Sequence, residues 1–165
     1  MKASDFERKY KISDSLPSET EMHTFSPREL SCALSSFFED EFDGLVNVIA
    51  QSEKDGAVRI AEEYLAHFFK TLLRLLYGKR LLTLRLCVEV DSFCILATCE
   101  GGILVNRSEL GTLFRDARNA GFEIERFPDG FRLSAPLLPR RDFALHAISE
   151  GITLLVAKLR KIFFD

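Results

Sequence analysis

Apolar residues recur every three or four positions across residues 60–76, with polar residues between them. This spacing is typical of an amphipathic helix, because side chains three or four positions apart lie on one helix face. The apolar face comprises Ala61, Tyr64, Leu65, Phe68, Leu72, Leu75 and Leu76. The other face carries a line of polar residues, here called the polar stripe: Glu63, His67, Thr71 and Arg74. The pattern predicts a long helix with one buried side.

Two strands are predicted directly after this helix. Residues 82–90 alternate strictly between apolar and polar, which indicates a half-buried strand, and residues 93–98 are almost wholly apolar. Asp91 and Ser92 suit a turn between the two strands. The second strand runs through Thr98 into Cys99-Glu100-Gly101-Gly102, so the hairpin leads into a loop with two adjacent glycines.

Helix starts and turns divide the rest of the chain. Ser26, Pro27 and Glu29 form a helix start with a capping box, and Ser108 is predicted to cap a second helix that Gly121 ends. Strands are predicted at 45–50, 57–60, 122–127 and 131–135, and a last helix at 141–163. This order predicts an α+β fold, a two-layer sandwich in which helices cover one face of a mixed sheet, with an extra C-terminal helix.

The chain divides into three predicted parts. Residues 1–24 are polar and aperiodic, which predicts a tail or linker in which His23 is solvated. Residues 25–137 hold the predicted sheet and form the domain. Residues 138–165 add the last helix, which is predicted to pack on the domain or on a partner. Because apolar residues lie on more than one side of this helix, homodimerisation through it is a further hypothesis.

Composition narrows the classes of function. The chain has 165 residues, of which 47% are hydrophobic, so it can bury one core. A formal net charge of -3 gives no support to a nucleic-acid partner. The N-terminus is polar and no apolar run approaches the ~20 residues of a spanning helix, which predicts a cytoplasmic protein without membrane insertion, or a soluble cytoplasmic piece of a larger protein. The four cysteines form no CxxC pair and are predicted to be buried free thiols: Cys32, Cys87, Cys94 and Cys99.

The order of elements across residues 25–137 resembles the ATP-binding catalytic domain of sensor histidine kinases, in the superfamily (HATPase or GHKL) that includes gyrase and the MutL repair proteins. Residues 65–75 fall where the asparagine-bearing helix of that domain belongs. Residues 98–103 fall where its Asp-x-Gly-x-Gly-Ile loop belongs. Residues 131–137 resemble its closing strand, which often ends in Leu-Pro.

The resemblance implies an ATP site, and this sequence departs from the family pattern at every asparagine, aspartate and glycine position of that site except Gly102. His67 and Thr71 stand where the family has two asparagines, one of which holds magnesium. In the loop, Thr98 replaces the family's aspartate, which accepts a hydrogen bond from adenine, and Glu100 replaces the first glycine. Of the two glycines of the family motif, only the second is retained, as Gly102. The glycine-rich segment expected before the next helix is missing. The resemblance therefore implies a site whose ATP binding is lost or altered, with no metal, no catalytic residue and no phosphoacceptor histidine.

Three functional hypotheses follow. The first is a degenerate kinase-like domain that acts in signal transduction by binding a signalling partner and needs no cofactor. The second is an active nucleotide-binding kinase or ATPase, in which Thr71 and Glu63 face magnesium, Thr98 faces adenine and Gly101-Gly102 face phosphate. The third is an anti-sigma-like regulatory module of the same superfamily. The candidate site in each case combines the polar stripe with four residues of the loop: Thr98, Glu100, Gly101 and Gly102.

Overall fold

A computed structural model of the chain describes residues 22–50, 56–76, 81–138 and 145–164. Seven strands are described, namely β1 (Met22–Phe25), β2 (Val46–Ala50), β3 (Val58–Ala61), β4 (Leu82–Glu89), β5 (Ser92–Cys99), β6 (Glu123–Phe127) and β7 (Gly130–Pro136). Four helices are described, namely α1 (Pro27–Glu41), α2 (Glu62–Leu76), α3 (Arg107–Ala120) and α4 (Leu145–Phe164). The predicted tail lies outside the described residues except for its last three, which belong to β1.

The main sheet has five strands in the order β2-β4-β5-β7-β6. The β2–β4 pair is parallel, and the other three pairs are antiparallel. A second, two-stranded sheet pairs β1 with β3 antiparallel. The mixed sheet, the helices and the C-terminal helix confirm the predicted α+β fold.

One face of the main sheet is the core face. Side chains alternate between the two faces of a strand, so the residues in phase with Leu84 lie under the helices. Nine of them are at most 2% exposed, namely Leu82, Leu84, Leu86, Phe93, Ile95, Ala97, Phe131, Leu133 and Ala135. The intervening residues form the opposite face, here called the outer face, where most side chains are half-buried or exposed. The alternation in the sequence therefore determines which face of the sheet receives the helices.

The helix starts agree with the sequence in one case and differ in two. Ser26 caps α1, because its side chain accepts a hydrogen bond from the Glu29 amide, as predicted. The prediction that Ser108 caps α3 is wrong, since the cap is Asn106, two residues earlier, which forms a reciprocal capping box with Glu109. Helix α2 begins at Glu62, because residues 60 and 61 belong to β3.

All four cysteines are free thiols, as predicted. Cys94 and Cys99 are buried, and Cys87 is half-buried. The prediction of burial is wrong for Cys32, which lies on the exposed side of α1.

Helix α4 packs against α1, α2 and β1. Leu155 and Leu159 are fully buried in this contact. Near the C-terminus, the Phe163 ring lies 5.4 Å from the ring of Phe37 and 5.3 Å from that of Phe42, measured between centroids. The Lys70 ammonium donates a 2.6 Å hydrogen bond to the Ile162 carbonyl, which satisfies an acceptor in the last turn of the helix. These contacts fix α4 beside α2.

A buried carboxylate joins β1, α2 and α4. The Glu62 side chain has no exposed surface, and its Oε1 lies 2.7 Å from Nδ1 of His23 and 3.0 Å from Nζ of Lys158. The prediction that His23 is a solvated tail residue is therefore wrong. His23 belongs to β1, where it is half-buried and paired with this carboxylate. A buried carboxylate requires such partners, because its desolvation is costly without them.

Candidate functional site

The polar stripe adjoins α3 at His67, because the charges of Asp116 and Arg115 on α3 act on the His67 imidazole. Glu63 and Thr71 are half-buried, whereas His67 and Arg74 are exposed. Helix α3 packs directly on α2 and brings a buried carboxylate to this contact, since Asp116 is only 2% exposed. Nη2 and Nε of Arg115 lie 3.1 and 3.3 Å from Oδ1 of Asp116. The stripe therefore adjoins a charged pair on the neighbouring helix.

The electrostatics of His67 follow from this contact. Packing against the neighbouring side chains removes water from the imidazole and lowers the pKa of His67 below its ordinary value. The Asp116 carboxylate opposes this effect, and the cations Lys70 and Arg115 reinforce it. Because the pKa is lowered, His67 is neutral at pH 7 and presents one donor and one acceptor nitrogen.

The loop with Gly101 and Gly102 is folded against the β6–β7 turn. The Cys99 amide donates to the Asp129 carbonyl at 2.9 Å, and the Gly102 amide donates to the Cys99 carbonyl at 2.9 Å. Gly102 has a φ of +83°, and a Cβ atom there would lie 2.6 Å from the Pro128 carbonyl oxygen. Glycine is therefore required at position 102 by the backbone conformation and by the close approach of the turn.

Thr98 lies on the outer face of the sheet. It alternates with the buried residues Ala97 and Cys99, and its strand partners are Thr83 and Gly130. The helices cover the opposite face, so the sheet separates the Thr98 side chain from the polar stripe. The structure thus brings together the four stripe residues on α2, and it places Thr98 away from them.

Glu100 lines a depression of about 450 Å³ at the end of the sheet, together with Leu81, Thr83 and Cys99. No residue of the polar stripe belongs to this lining. The depression therefore lies beside the loop and apart from the stripe on α2.

The chain enters α3 soon after the glycine loop. Residues 103–106 are the whole connection between Gly102 and the first residue of α3, Arg107. Ile103 is buried, and Asn106 is held by its capping box with Glu109. A covering segment of the kind found over a bound phosphate has no room in so short a connection.

Metal ligands are not grouped at this site. Within the described part of the chain, no three or more His, Cys, Asp or Glu side chains are placed to hold one ion. Also within this part, no helix is both long enough and apolar enough to span a membrane.

No family model matches the sequence, and no curated protein matches it either. Solved structures do match. Histidine kinase AdeS of Acinetobacter baumannii superposes with a TM-score of 0.52 at 11% identity, over 82% of this chain and 77% of that one. The cytoplasmic segment of histidine kinase QseC gives 0.48 at 13% identity, over 83% and 92% of the two chains. The ATP-binding domain of PrrB from Mycobacterium tuberculosis gives 0.42 at 16% identity, over 71% and 96%.

The chain has the histidine-kinase-type ATPase fold. At these identities the similarity concerns the fold alone. Within this histidine-kinase-type fold, two buried acids were missed by the sequence reasoning, namely Glu62 and Asp116. Glu62 directly precedes Glu63, and Asp116 lies beside Arg115, so each reads in the sequence as part of an ordinary charged helix surface. Only their lack of exposed surface in the structure distinguishes them.

Proposed function

We propose that this histidine-kinase-like domain acts in signal transduction by binding a protein partner, and that its nucleotide site is lost or altered. Gly102 is the observation that carries the proposal. The Gly102 amide donates a hydrogen bond to the Cys99 carbonyl, and the Pro128 carbonyl oxygen occupies the space that a Cβ atom of residue 102 would need. The one glycine that matches the family loop is thus explained by packing within the chain.

Two further features support loss or alteration of the nucleotide site. Where the family has its two asparagines, the polar stripe has the neutral imidazole of His67 and the hydroxyl of Thr71. Magnesium strongly prefers charged or carbonyl oxygen ligands. The connection from Gly102 to α3 has only the residues 103–106. A bound nucleotide would have neither its usual metal ligands nor a segment to cover its phosphates.

Exposed leucines support the proposal that the domain binds a protein partner. Three of them lie at the end of the sheet that carries the glycine loop and are here called the leucine rim, namely Leu45, Leu81 and Leu104. Leu104 is 83% exposed, and the Leu45 carbonyl accepts a hydrogen bond from the Leu82 amide, which places the start of β2 beside the start of β4. Clustered exposed apolar side chains are typical of protein interaction sites.

Site-specific photocrosslinking tests the proposed interface. A photoreactive amino acid replaces Leu104 in the leucine rim, and in a matched control it replaces Val90, which is 80% exposed in the β4–β5 turn at the opposite end of the sheet. On irradiation in the native host, we expect one dominant adduct from position 104 and none from position 90. An adduct of twice the chain mass identifies a homodimer, and any other mass identifies a different protein partner.

The proposal fails if positions 104 and 90 give the same adducts, or if position 104 gives none while the protein remains folded by circular dichroism. Equal labelling would mean that the photoreactive group captures whatever protein is nearby. In either case the leucine rim is not an interface.

A further inference from the structure

Two cysteines face each other across neighbouring antiparallel strands. Cys87 of β4 and Cys94 of β5 are direct partners in the strand register. Both lie on the outer face, because Cys87 is in phase with Thr83 and Arg85, and Cys94 alternates with the core residues Phe93 and Ile95. The two thiols are therefore neighbours on the side of the sheet that the helices leave open.

Charged side chains surround this pair. Nη2 of Arg132, on β7, lies 3.7 Å from Sγ of Cys94, and an oxygen of Glu89 lies 3.8 Å from the same sulfur. Arg132 and Glu89 also form an ion pair with each other. Cys94 is buried beneath these groups, whereas Cys87 is half-buried and open to solvent. The pair therefore has one accessible sulfur and one that is held beside a cation.

The backbone geometry suits a covalent link. Directly opposed residues of antiparallel strands have Cα atoms about 4.5 or about 5.5 Å apart. Disulfides form at Cα separations of about 4.4–6.8 Å. No movement of β4 relative to β5 is needed to bring Cys87 and Cys94 within this range. The two thiols belong to no group of three or more potential metal ligands in the part of the chain that the structure describes.

We propose that Cys87 and Cys94 are a dithiol modification site, which a low-molecular-weight disulfide of the glutathione class converts reversibly into a cross-strand disulfide. The proposal does not rest on the function proposed above.

The reaction proceeds by two exchanges. The Cys87 thiolate attacks one sulfur of the small disulfide, which breaks the S–S bond and releases one small thiolate. The Cys94 thiolate then attacks Sγ of Cys87 in the mixed disulfide and releases the second small thiolate. The two protein thiols give up two protons, which the released thiolates take up, so that one dithiol and one disulfide become one protein disulfide and two small thiols.

The first exchange accelerates with pH. Burial, with Cys94 and Glu89 as further causes, raises the pKa of the Cys87 thiol, while Arg132 and Arg85 oppose this shift. Below its pKa a thiol gains about tenfold in thiolate for each pH unit, and only the thiolate is nucleophilic. We therefore expect the first exchange, measured as the loss of free Cys87 thiol, to be about tenfold faster at pH 8 than at pH 7.

The test uses the full chain, fully reduced and then exposed to mixtures of oxidised and reduced glutathione. Samples are quenched with acid, alkylated and cleaved by a protease that cuts after Glu89, between the two cysteines. Mass spectrometry should find the fragments with Cys87 and Cys94 linked, with the loss of two hydrogen atoms, and fragment spectra should distinguish Cys94 from Cys99. Reduced glutathione in excess should restore both thiols.

Cys87→Ser and Cys94→Ser should each abolish the link, and Cys32→Ser, which removes the exposed and distant thiol, should retain it. The inference is overturned if Cys87 and Cys94 of the wild-type chain stay separately alkylated under fully oxidising conditions. It is overturned equally by a stable mixed disulfide at Cys87 without closure, or by a link that joins Cys99 instead. The outcome for the wild-type chain alone decides whether the disulfide forms. The test therefore remains valid even if a serine variant folds poorly.

Discussion

Gly130→Ala should destabilise the fold by at least about 4 kcal/mol, or prevent folding, because the new methyl group has no space. Gly130 begins β7 with a φ of +156° and is the strand partner of Thr98. A Cβ at this position would overlap the Ala97 carbonyl oxygen and lie 3.0 Å from the Thr98 Cα. These are backbone atoms of the adjacent strand, so no side-chain rotation relieves the clash. Urea denaturation followed by circular dichroism measures the loss.

Gly44→Ala is the matched control for this prediction. Gly44 also has a positive φ, of +79°, but nothing lies within 4 Å of the position its Cβ would take. Its substitution therefore costs only the backbone strain of about 1 kcal/mol. If both variants lose the same stability, the close approach of β5 and β7 at Gly130 is not as described.

Glu62→Gln should lower the free energy of unfolding by about 3 kcal/mol, near the low end for breaking a buried ion pair. The side chain of Glu62 has no exposed surface, whereas those of His23 and Lys158 are 33% and 26% exposed. Removing the carboxylate charge removes the ion pairs that His23 and Lys158 make with Glu62, although the partial access of both partners to water limits the loss. Since Lys158 belongs to α4, the contact of α4 with β1 and α2 should loosen, which amide hydrogen exchange in α4 measures.

Glu41→Gln is the control for charge removal on a helix. Glu41 pairs with Arg160 of α4 at 4.0 Å, but both side chains are exposed to solvent, at 31% and 59%. Exposed pairs contribute about 0–1 kcal/mol, so this variant should unfold nearly like the wild type. A stable Glu62→Gln protein with unchanged exchange in α4 would refute the role assigned to the buried carboxylate.

The fold followed from the sequence where one face of an element is buried. The strict alternation in β4 and the apolar face of α2 each define a buried side, and the structure places both against the core. The pattern of apolar residues did not predict that a charged residue, Glu62, lies on the buried side of α2. Consecutive helix residues point about 100° apart, so Glu62 turns inward although Glu63 beside it does not. The partners that permit its burial, His23 and Lys158, are distant in sequence.

The pairing of Cys87 with Cys94 was not predicted, because the predicted turn between β4 and β5 was one residue too late. The sequence suggested a turn at Asp91 and Ser92, whereas the structure has the turn at Val90 and Asp91, so that Glu89 pairs with Ser92. In a hairpin the turn sets the register, and a shift of one residue changes every cross-strand pair. With the turn one residue later, Cys94 would face Glu89, and the proximity of Cys87 and Cys94 would not follow.

The candidate site was the least predictable part. The resemblance placed Thr98 and the polar stripe in one cavity, but the phase of β5 puts Thr98 on the outer face, and α3 lies beside the stripe. Both facts depend on tertiary packing, in particular on the short connection 103–106, which a linear comparison with a family pattern does not capture.

Calorimetric titration with ATP and with ADP, each with and without magnesium, tests whether this domain has lost its nucleotide site. We expect no binding heat in any of the four titrations, because the Gly102 amide and the space beside it are already used within the chain. Micromolar binding that Thr98→Ala or Thr71→Ala removes, and that the control Thr83→Ala retains, would contradict it and establish a working nucleotide site.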